Sequence, residues 1–102
     1  MNLVRIVGTL VATHKDPKLQ GSKLLIGKEI RLDGSMTETY HVAIDTVGAG
    51  MGEVVLVVRG SSARMTDFTK DKPVDSAIVA VIDEIEVAGE IVWRKEAWSS
   101  ES

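Results

Sequence analysis

The chain is organised around Asp45-Thr46-Val47-Gly48-Ala49-Gly50-Met51-Gly52-Glu53, which we call the glycine loop. Glycine stands at every second position from Gly48 to Gly52, and apolar β-branched runs lie on both sides. Because glycine lacks a Cβ atom, this spacing suits a sharp turn or the close approach of another backbone. We expect Gly50 to adopt a positive φ, which a β-branched residue does not tolerate. The function depends on what approaches this loop: a phosphate, a nucleic acid or another copy of the chain.

Short apolar runs outside the loop predict an all-β fold. Residues 54–58, VVLVV, are apolar throughout, which indicates a strand that is buried on both faces. About six short strands with almost no helix indicate a small closed β-barrel, because an open sheet of this size would leave two edges unpaired. The predicted strands lie at residues 3–12, 23–32, 40–47, 54–58, 78–87 and 90–94.

The connections carry recognisable turn residues. Gly8 marks a bend or bulge in the first strand, and Ala88-Gly89 is a two-residue hairpin turn. Residues 31–39 form a turn around Asp33-Gly34-Ser35. Ser61 or Ser62 is suited to cap one short helical turn that ends near Phe68. We predict a single barrel domain over residues 1–95 and a flexible tail over residues 96–102.

Composition narrows the classes of function. The chain of 102 residues has a formal net charge of −3, which provides no overall positive field for a polyanion. It has no cysteine, which excludes disulfides and thiolate metal sites. Arg5 interrupts the N-terminal apolar run, and no small-residue cleavage site follows. The apolar run at 77–82 is too short to span a bilayer. We therefore expect a cytoplasmic protein without a targeting segment.

The glycine loop does not match a phosphate-binding loop. A dinucleotide fingerprint has the spacing G-x-G-x-x-G and leads into a helix, whereas this loop has G-x-G-x-G and leads into a strand. Asp45 and Glu53 place negative charge at its two ends, and the loop contains no lysine or arginine. We therefore favour a structural role for the glycines and expect no nucleotide or other cofactor.

Two other classes of function receive little support. A barrel that binds single-stranded nucleic acid needs a basic groove with aromatic platforms, and the chain has only four aromatic residues. This remains the alternative to a structural role. An enzyme would need a set of reactive groups, but His14 and His41 have no second ligand at metal-binding spacing. We expect His41 to be an exposed strand residue, no metal site and no catalytic activity.

Self-association is the remaining class. Strands that are apolar on both faces offer more hydrophobic surface than one small barrel interior can bury, and such a surface usually marks an interface. A closed ring of identical chains uses a head-to-tail interface, and backbones that converge on its axis favour glycine. The glycine loop fits that position.

An ordered series of short blocks resembles the EutN/CcmL family, the pentameric vertex proteins of bacterial microcompartment shells. The resemblance extends from Val4 to about Trp93, and the tail has no counterpart in the family. The blocks are Gly8-Thr9-Leu10-Val11-Ala12-Thr13, Lys15 with Leu19-x-Gly21-x-Lys23-Leu24-Leu25, the glycine loop continued to Leu56, Gly60-Ser61-Ser62-Ala63-Arg64, Pro73-Val74-Asp75 and Ile82-Asp83.

The resemblance implies an OB-like β-barrel without nucleic-acid function. It further implies a homopentamer that caps the vertices of a shell tiled by hexameric shell proteins. The block around Arg64 favours shells that enclose catabolic enzymes over carboxysomes. Arg64 is expected to pair with Asp45 or Asp75. By the same resemblance, the residues near the ring axis are Gly48, Ala49, Gly50 and Gly52, and those at the subunit contact are Ser61, Ser62, Arg64 and Asp45.

Overall fold

A computed structural model describes residues 1–12, 17, 21–60 and 76–95 of the chain. The first five strands close into a barrel in the order β1-β2-β3-β5-β4, and the last two form a separate two-stranded sheet. This confirms the predicted all-β barrel. The strands are β1 Asn2–Leu10, β2 Lys23–Ile30, β3 Met36–Asp45, β4 Val54–Arg59, β5 Ser76–Val81, β6 Glu84–Val87 and β7 Glu90–Arg94.

The barrel closes through the only parallel strand pair found among the described residues. β3 and β5 pair in parallel with Ile44 opposite Ala77 and Asp45 opposite Ile78, while the other four strand pairs of the barrel are antiparallel. The register of β1 against β2 shifts between Ile6 and Gly8, which confirms the predicted bulge at Gly8. A closed barrel leaves no strand edge unpaired, so closure satisfies backbone groups that an open sheet would expose.

The strands predicted to end at residues 12, 32 and 47 each end two residues earlier, and two further predictions were wrong. The strand predicted at residues 78–87 is two strands, β5 and β6, because the amide of Ile82 donates to Val54 O at 2.8 Å and the chain then leaves the barrel. The turn predicted at residues 31–39 ends at Ser35, since β3 already begins at Met36. The Thr37 hydroxyl donates to Glu29 O at 3.0 Å, which extends the pairing of β2 with β3. The sequence prediction missed this part of β3 because its residues are mostly polar and exposed, which is also typical of a turn.

Alternate residues of the strands fill the barrel, and the opposite face carries a second apolar cluster. The inner cluster includes Ile6, Val55 and Ile78, each at most 2% exposed. The second cluster consists of Ile44, Val58 and Ala77, with Leu24 and Val79 packed against it. β4 is buried on both faces, as its unbroken apolar sequence predicts. The predicted helical turn after Gly60 and the predicted tail lie outside the described residues.

His41 is not the exposed strand residue that its position predicts. Its side chain is 8% exposed, and its Nε2 atom lies 2.8 Å from Glu29 Oε1. The same carboxylate oxygen accepts a hydrogen bond from Asn2 Nδ2 at 3.0 Å. The carboxylate explains the correction, because a polar ring can be buried in a strand when a hydrogen-bond partner lies beside it.

We predict that Gly27→Ala destabilises the barrel. A Cβ atom at Gly27 would lie 2.5 Å from Val4 Cγ2, so the substitution overpacks the core and costs about 1–3 kcal/mol. Chemical denaturation followed by circular dichroism measures the loss. Gly8→Ala is the matched control, because its Cβ would meet Ile26 at an ordinary 3.5 Å. Equal stability of the two variants would contradict the prediction.

Candidate assembly site at the glycine loop

The Asp45 carboxylate folds the first half of the glycine loop. Oδ1 accepts hydrogen bonds from the amides of Val47 and Gly48, each at 3.1 Å, and Oδ2 accepts one from the amide of Ala49 at 2.9 Å. Asp45 is only 8% exposed. A buried carboxylate is stable when amide N–H groups surround it, so this side chain and the loop backbone stabilise each other.

The Glu53 carboxylate holds the second half of the loop. Oε1 accepts the amide of Gly50 at 2.6 Å, and Oε2 lies 2.8 Å from Lys95 Nζ. The backbone of this half is tied to β1, because the amide of Gly52 donates to Ile6 O at 2.8 Å. The amide of Ile6 in turn donates to Glu53 O at 2.9 Å. The loop is therefore anchored both to the barrel wall and to the residue that follows β7.

Two of the three glycines have backbone conformations that require glycine, and Gly50 is not one of them. Gly48 has a φ of +77° and Gly52 a φ of +83°, in the left-handed region that disfavours side chains. The prediction of a positive φ at Gly50 was wrong. Space limits this position instead, because a Cβ atom at Gly50 would lie 3.3 Å from Glu53 Oε1. The carboxylate that binds the Gly50 amide also leaves little room for a side chain.

The loop presents apolar side chains and backbone to solvent, and its ionised groups are used within the molecule. Val47 and Met51 are 42% and 65% exposed, whereas Ala49 is 1% exposed and packs in the barrel core. Lys23 Nζ donates to Ala49 O at 3.2 Å. A phosphate would have to displace the carboxylates that already accept the loop amides. The geometry therefore disfavours phosphate binding, as the acidic flanks predicted, and it suits contact with another protein surface.

The ion pair of Glu53 with Lys95 shifts both pKa values. The hydrogen bond from Lys95, followed by that from the Gly50 amide, lowers the pKa of Glu53 below its ordinary range. The hydrogen bond to Glu53 raises the pKa of Lys95. Both shifts favour the charged forms, so the pair stabilises the fold when both groups are ionised.

The structure describes some of the predicted site residues and not others. Gly48, Ala49, Gly50 and Gly52 all lie in the loop, and Asp45 lies at its base. Ser61, Ser62 and Arg64 lie outside the described residues, as does Asp75, the second carboxylate predicted to pair with Arg64. Sequence reasoning missed Lys95 as a partner of Glu53, because the two residues are far apart in the chain and no local pattern connects them.

The described residues offer little for other chemistry. They contain no group of three or more histidine, aspartate or glutamate side chains that could hold a metal ion. In the same part of the chain, no helix is long and apolar enough to cross a membrane. Tyr40 is exposed beside Lys28, whose Nζ lies 5.4 Å from the ring centroid. Trp93 lies against Gly34.

Comparison with known proteins places this barrel in a class of shell proteins. The family model described as "Ethanolamine utilisation protein EutN/carboxysome" matches residues 1–83. The carboxysome shell vertex protein CcmL of Nostoc sp. PCC 7120 is 43% identical over 96 residues, which are 93% of this chain and 95% of CcmL. The microcompartment shell vertex protein PduN of Salmonella typhimurium is 41% identical over 87 residues, 81% of this chain and 96% of PduN.

Solved structures agree with the sequence comparison. The structure of Nostoc CcmL superposes with a TM-score of 0.88 and covers 93% of this chain and 100% of CcmL. GrpN of Rhodospirillum rubrum, a pentameric microcompartment shell protein, is 38% identical. It superposes with a TM-score of 0.78 over 86% of this chain and 100% of GrpN. The chain belongs to the EutN/CcmL family of microcompartment shell vertex proteins.

We predict that Glu53→Gln lowers the melting temperature in a pH-dependent way. The folded pKa of Glu53 lies below the unfolded value of about 4.3, so its contribution is complete above that value and disappears as the pH falls through the folded pKa. The contribution of Lys95 is complete below about pH 10.4 and disappears as the pH rises through its raised pKa.

The difference in melting temperature between the original chain and Glu53→Gln should therefore be largest between about pH 5 and 10. It should shrink at both extremes. Differential scanning fluorimetry across this range measures it. Glu38→Gln is the control, because its side chain is 95% exposed and lies 3.9 Å from Lys28. A Glu53→Gln effect that stayed constant from pH 2 to 11 would contradict the assignment.

Proposed function

We propose that this protein forms a homopentamer that caps the vertices of a bacterial microcompartment shell in the cytoplasm. The observation that carries the proposal is the match to shell vertex proteins over nearly the whole chain, in sequence and in fold. The pentameric state of GrpN supports five copies in particular. The CcmL and PduN identities, 43% and 41%, are too similar to support the expected preference for catabolic shells.

The proposed role follows from the geometry of a closed shell. Hexagonal tiles cover a flat facet, and a unit with five-fold symmetry supplies curvature where facets meet. We propose that hexameric shell proteins are the neighbours of the ring. The protein acts by contact alone, without catalysis, a cofactor or a nucleic-acid ligand. The closed barrel and the hydrogen bonds within the glycine loop suit a structural role, because both hold the backbone in one conformation.

We place the glycine loop at the ring axis. Its most exposed side chains, Val47 and Met51, are apolar, and its two carboxylates are bound within their own chain, which favours the approach of five copies. The residues proposed near the axis remain Gly48, Ala49, Gly50 and Gly52, with Ala49 facing its own barrel core. The residues proposed at the subunit contact remain Asp45, Ser61, Ser62 and Arg64.

The oligomeric state tests the proposal directly. We expect native mass spectrometry and sedimentation velocity at micromolar concentration to give the mass of five chains. A chain that remained monomeric under these conditions would refute the pentamer. The same sample tests the nucleic-acid alternative, because a barrel that binds single strands would show oligonucleotide affinity that falls as salt rises. We expect no change in fluorescence anisotropy of a labelled oligonucleotide at low salt.

Met51→Cys tests the placement of the loop at the axis. Equivalent residues of different copies are close together only near a symmetry axis, and the chain has no other cysteine. We expect a short bismaleimide to link Met51→Cys chains in pairs within the pentamer. Glu38→Cys, on an exposed site of β3, is the control and should stay unlinked. A pentamer of Met51→Cys that gave only single chains would contradict the axial placement.

A further inference from the structure

The hairpin of β6 and β7 ends in an exposed tip. Every residue from 86 to 91 is exposed, including the apolar side chains Val87 at 41% and Ile91 at 48%. The carboxylates of Glu86 and Glu90 form no hydrogen bond or ion pair with the described residues. Strand register pairs Val87 with Glu90 and Glu86 with Ile91, so each face of the tip carries one unpaired carboxylate beside one exposed aliphatic side chain. We call residues 86–91 the hairpin tip.

Within the described part of the chain, the contacts that hold the hairpin lie at its base. The indole of Trp93 packs against Gly34 so closely that a Cβ atom there would overlap the ring. Lys95 binds Glu53 through Nζ, and its amide donates to Asp83 O at 2.9 Å. An isolated two-stranded hairpin is marginally stable in water. The base contacts therefore fix the direction of the hairpin and leave the tip without support from its own barrel.

A complementary surface lies on the outer face of β1, β2 and β3. Strand register places Gly8, Ile26 and Val42 in one row and Leu10, Leu24 and Ile44 in the next. Val42 is 47% exposed, Leu10 is 43% exposed and Val7, in the bulge beside Gly8, is 41% exposed. Since Gly8 has no side chain, we expect a shallow depression in the middle of this surface. We call the surface formed by Val7, Gly8, Leu10, Ile26 and Val42 the sheet face.

The sheet face is bordered by two cations: Arg5, which has no ion pair with a described residue, and Lys28, which has a long one. Arg5 and Lys28 lie opposite each other on β1 and β2 in the adjoining row. Arg5 Nε is buried and has no hydrogen-bond partner. Lys28 Nζ is 3.9 Å from a carboxylate oxygen of Glu38, whose side chain is 95% exposed. Arginine binds carboxylates through two parallel hydrogen bonds, so this border suits acidic side chains.

We propose that the hairpin tip of one copy docks on the sheet face of the neighbouring copy in the ring. The contact uses the face of the tip that carries the cross-strand pair of Val87 and Glu90. Glu90 then faces Arg5 and Lys28, and Val87 covers the apolar rows. The two surfaces differ, as a head-to-tail contact requires. This inference rests on the proposed pentamer and names the surfaces that join its subunits.

Charge complementarity selects the tip over the other exposed apolar regions. The glycine loop also exposes Val47 and Met51, but the carboxylates of Asp45 and Glu53 are already bound within their own chain. At the turn between β2 and β3, Asp33 accepts hydrogen bonds from the hydroxyl and the amide of Ser35. Glu38 lies on β3 near the exposed side chains of Met36 and Tyr40, but its carboxylate is 3.9 Å from Lys28 Nζ. Among the described residues, the hairpin tip thus combines exposed apolar side chains with carboxylates that have no ion-pair partner.

Reciprocal charge reversal tests the pairing. We expect Glu90→Lys to raise the concentration at half-dissociation about tenfold or more, because like charges then face each other. Arg5→Glu with Lys28→Glu should act in the same direction. Glu90→Lys combined with Arg5→Glu and Lys28→Glu in one chain should restore assembly. Glu86→Lys, on the opposite face of the tip, is the matched control and should leave assembly unchanged. Sedimentation velocity measures assembly, and circular dichroism checks the fold.

Cysteine trapping provides a second measurement for variants that fold poorly. The chain has no native cysteine, so Lys28→Cys with Glu90→Cys should oxidise into a ladder of two to five linked chains. Lys28→Cys with Glu84→Cys is the matched control and should remain unlinked.

The outcomes separate this inference from the pentamer itself. A monomeric original chain refutes the proposed function. Pentamers that tolerate either charge reversal, fail to recover when both are combined, or give no ladder with Lys28→Cys and Glu90→Cys refute the docking while the pentamer stands. A disulfide confined to single chains also refutes the docking.

Discussion

Asp45 takes part both in the closure of the barrel, through its backbone, and in the folding of the glycine loop, through its carboxylate. The Asp45 backbone pairs with Lys23 on one side and Ile78 on the other, which places it in the wall where β3 meets β5. Its side chain then accepts three amides of the loop that follows. One buried residue thereby fixes both the last strand pair of the barrel and the path of the chain beyond it.

The second half of the loop extends this constraint to the C-terminal hairpin. Glu53 binds the Gly50 amide through one carboxylate oxygen and Lys95 through the other. Since Lys95 follows β7 directly, the base of the hairpin is tied to the same loop that Asp45 folds. Two regions proposed to contact other copies are thus held by one carboxylate. Such a link keeps the glycine loop and the hairpin in a fixed relation.

The sequence predicts the barrel well because its strongest signals are local. The apolar run in β4 and the glycine in the β1 bulge needed no tertiary information. The start of β3 at Met36 was missed, because its outward residues are polar and resemble a turn. His41 was misjudged for a different reason. Its partner Glu29 lies on the neighbouring strand, and burial of a polar ring depends on a partner that no local pattern identifies.

The sequence predicted the position of the glycine loop but not all of its contacts, again because some partners are distant in the sequence. Alternating glycines identify the loop, but they do not distinguish a residue that needs a positive φ from one that lacks space. Gly48 and Gly52 belong to the first kind and Gly50 to the second, because Glu53 folds back onto it. The ion pair of Glu53 with Lys95 depends on where the hairpin returns to the barrel. Only the folded chain contains that information.

The glycine loop and the hairpin tip differ in whether their carboxylates are bound within the chain, so they suit different kinds of contact. The Glu53 carboxylate is paired with Lys95, and the Asp45 carboxylate is buried and accepts three loop amides, which weakens the repulsion between identical loops that approach each other. The hairpin tip keeps its carboxylates free, so it favours a cationic surface and disfavours another tip. In a ring, identical surfaces such as the glycine loops would meet only at the symmetry axis. Unlike surfaces, such as the hairpin tip and the sheet face, would join each chain to the next in a head-to-tail order. A chain that carries both kinds therefore has what a closed head-to-tail assembly requires.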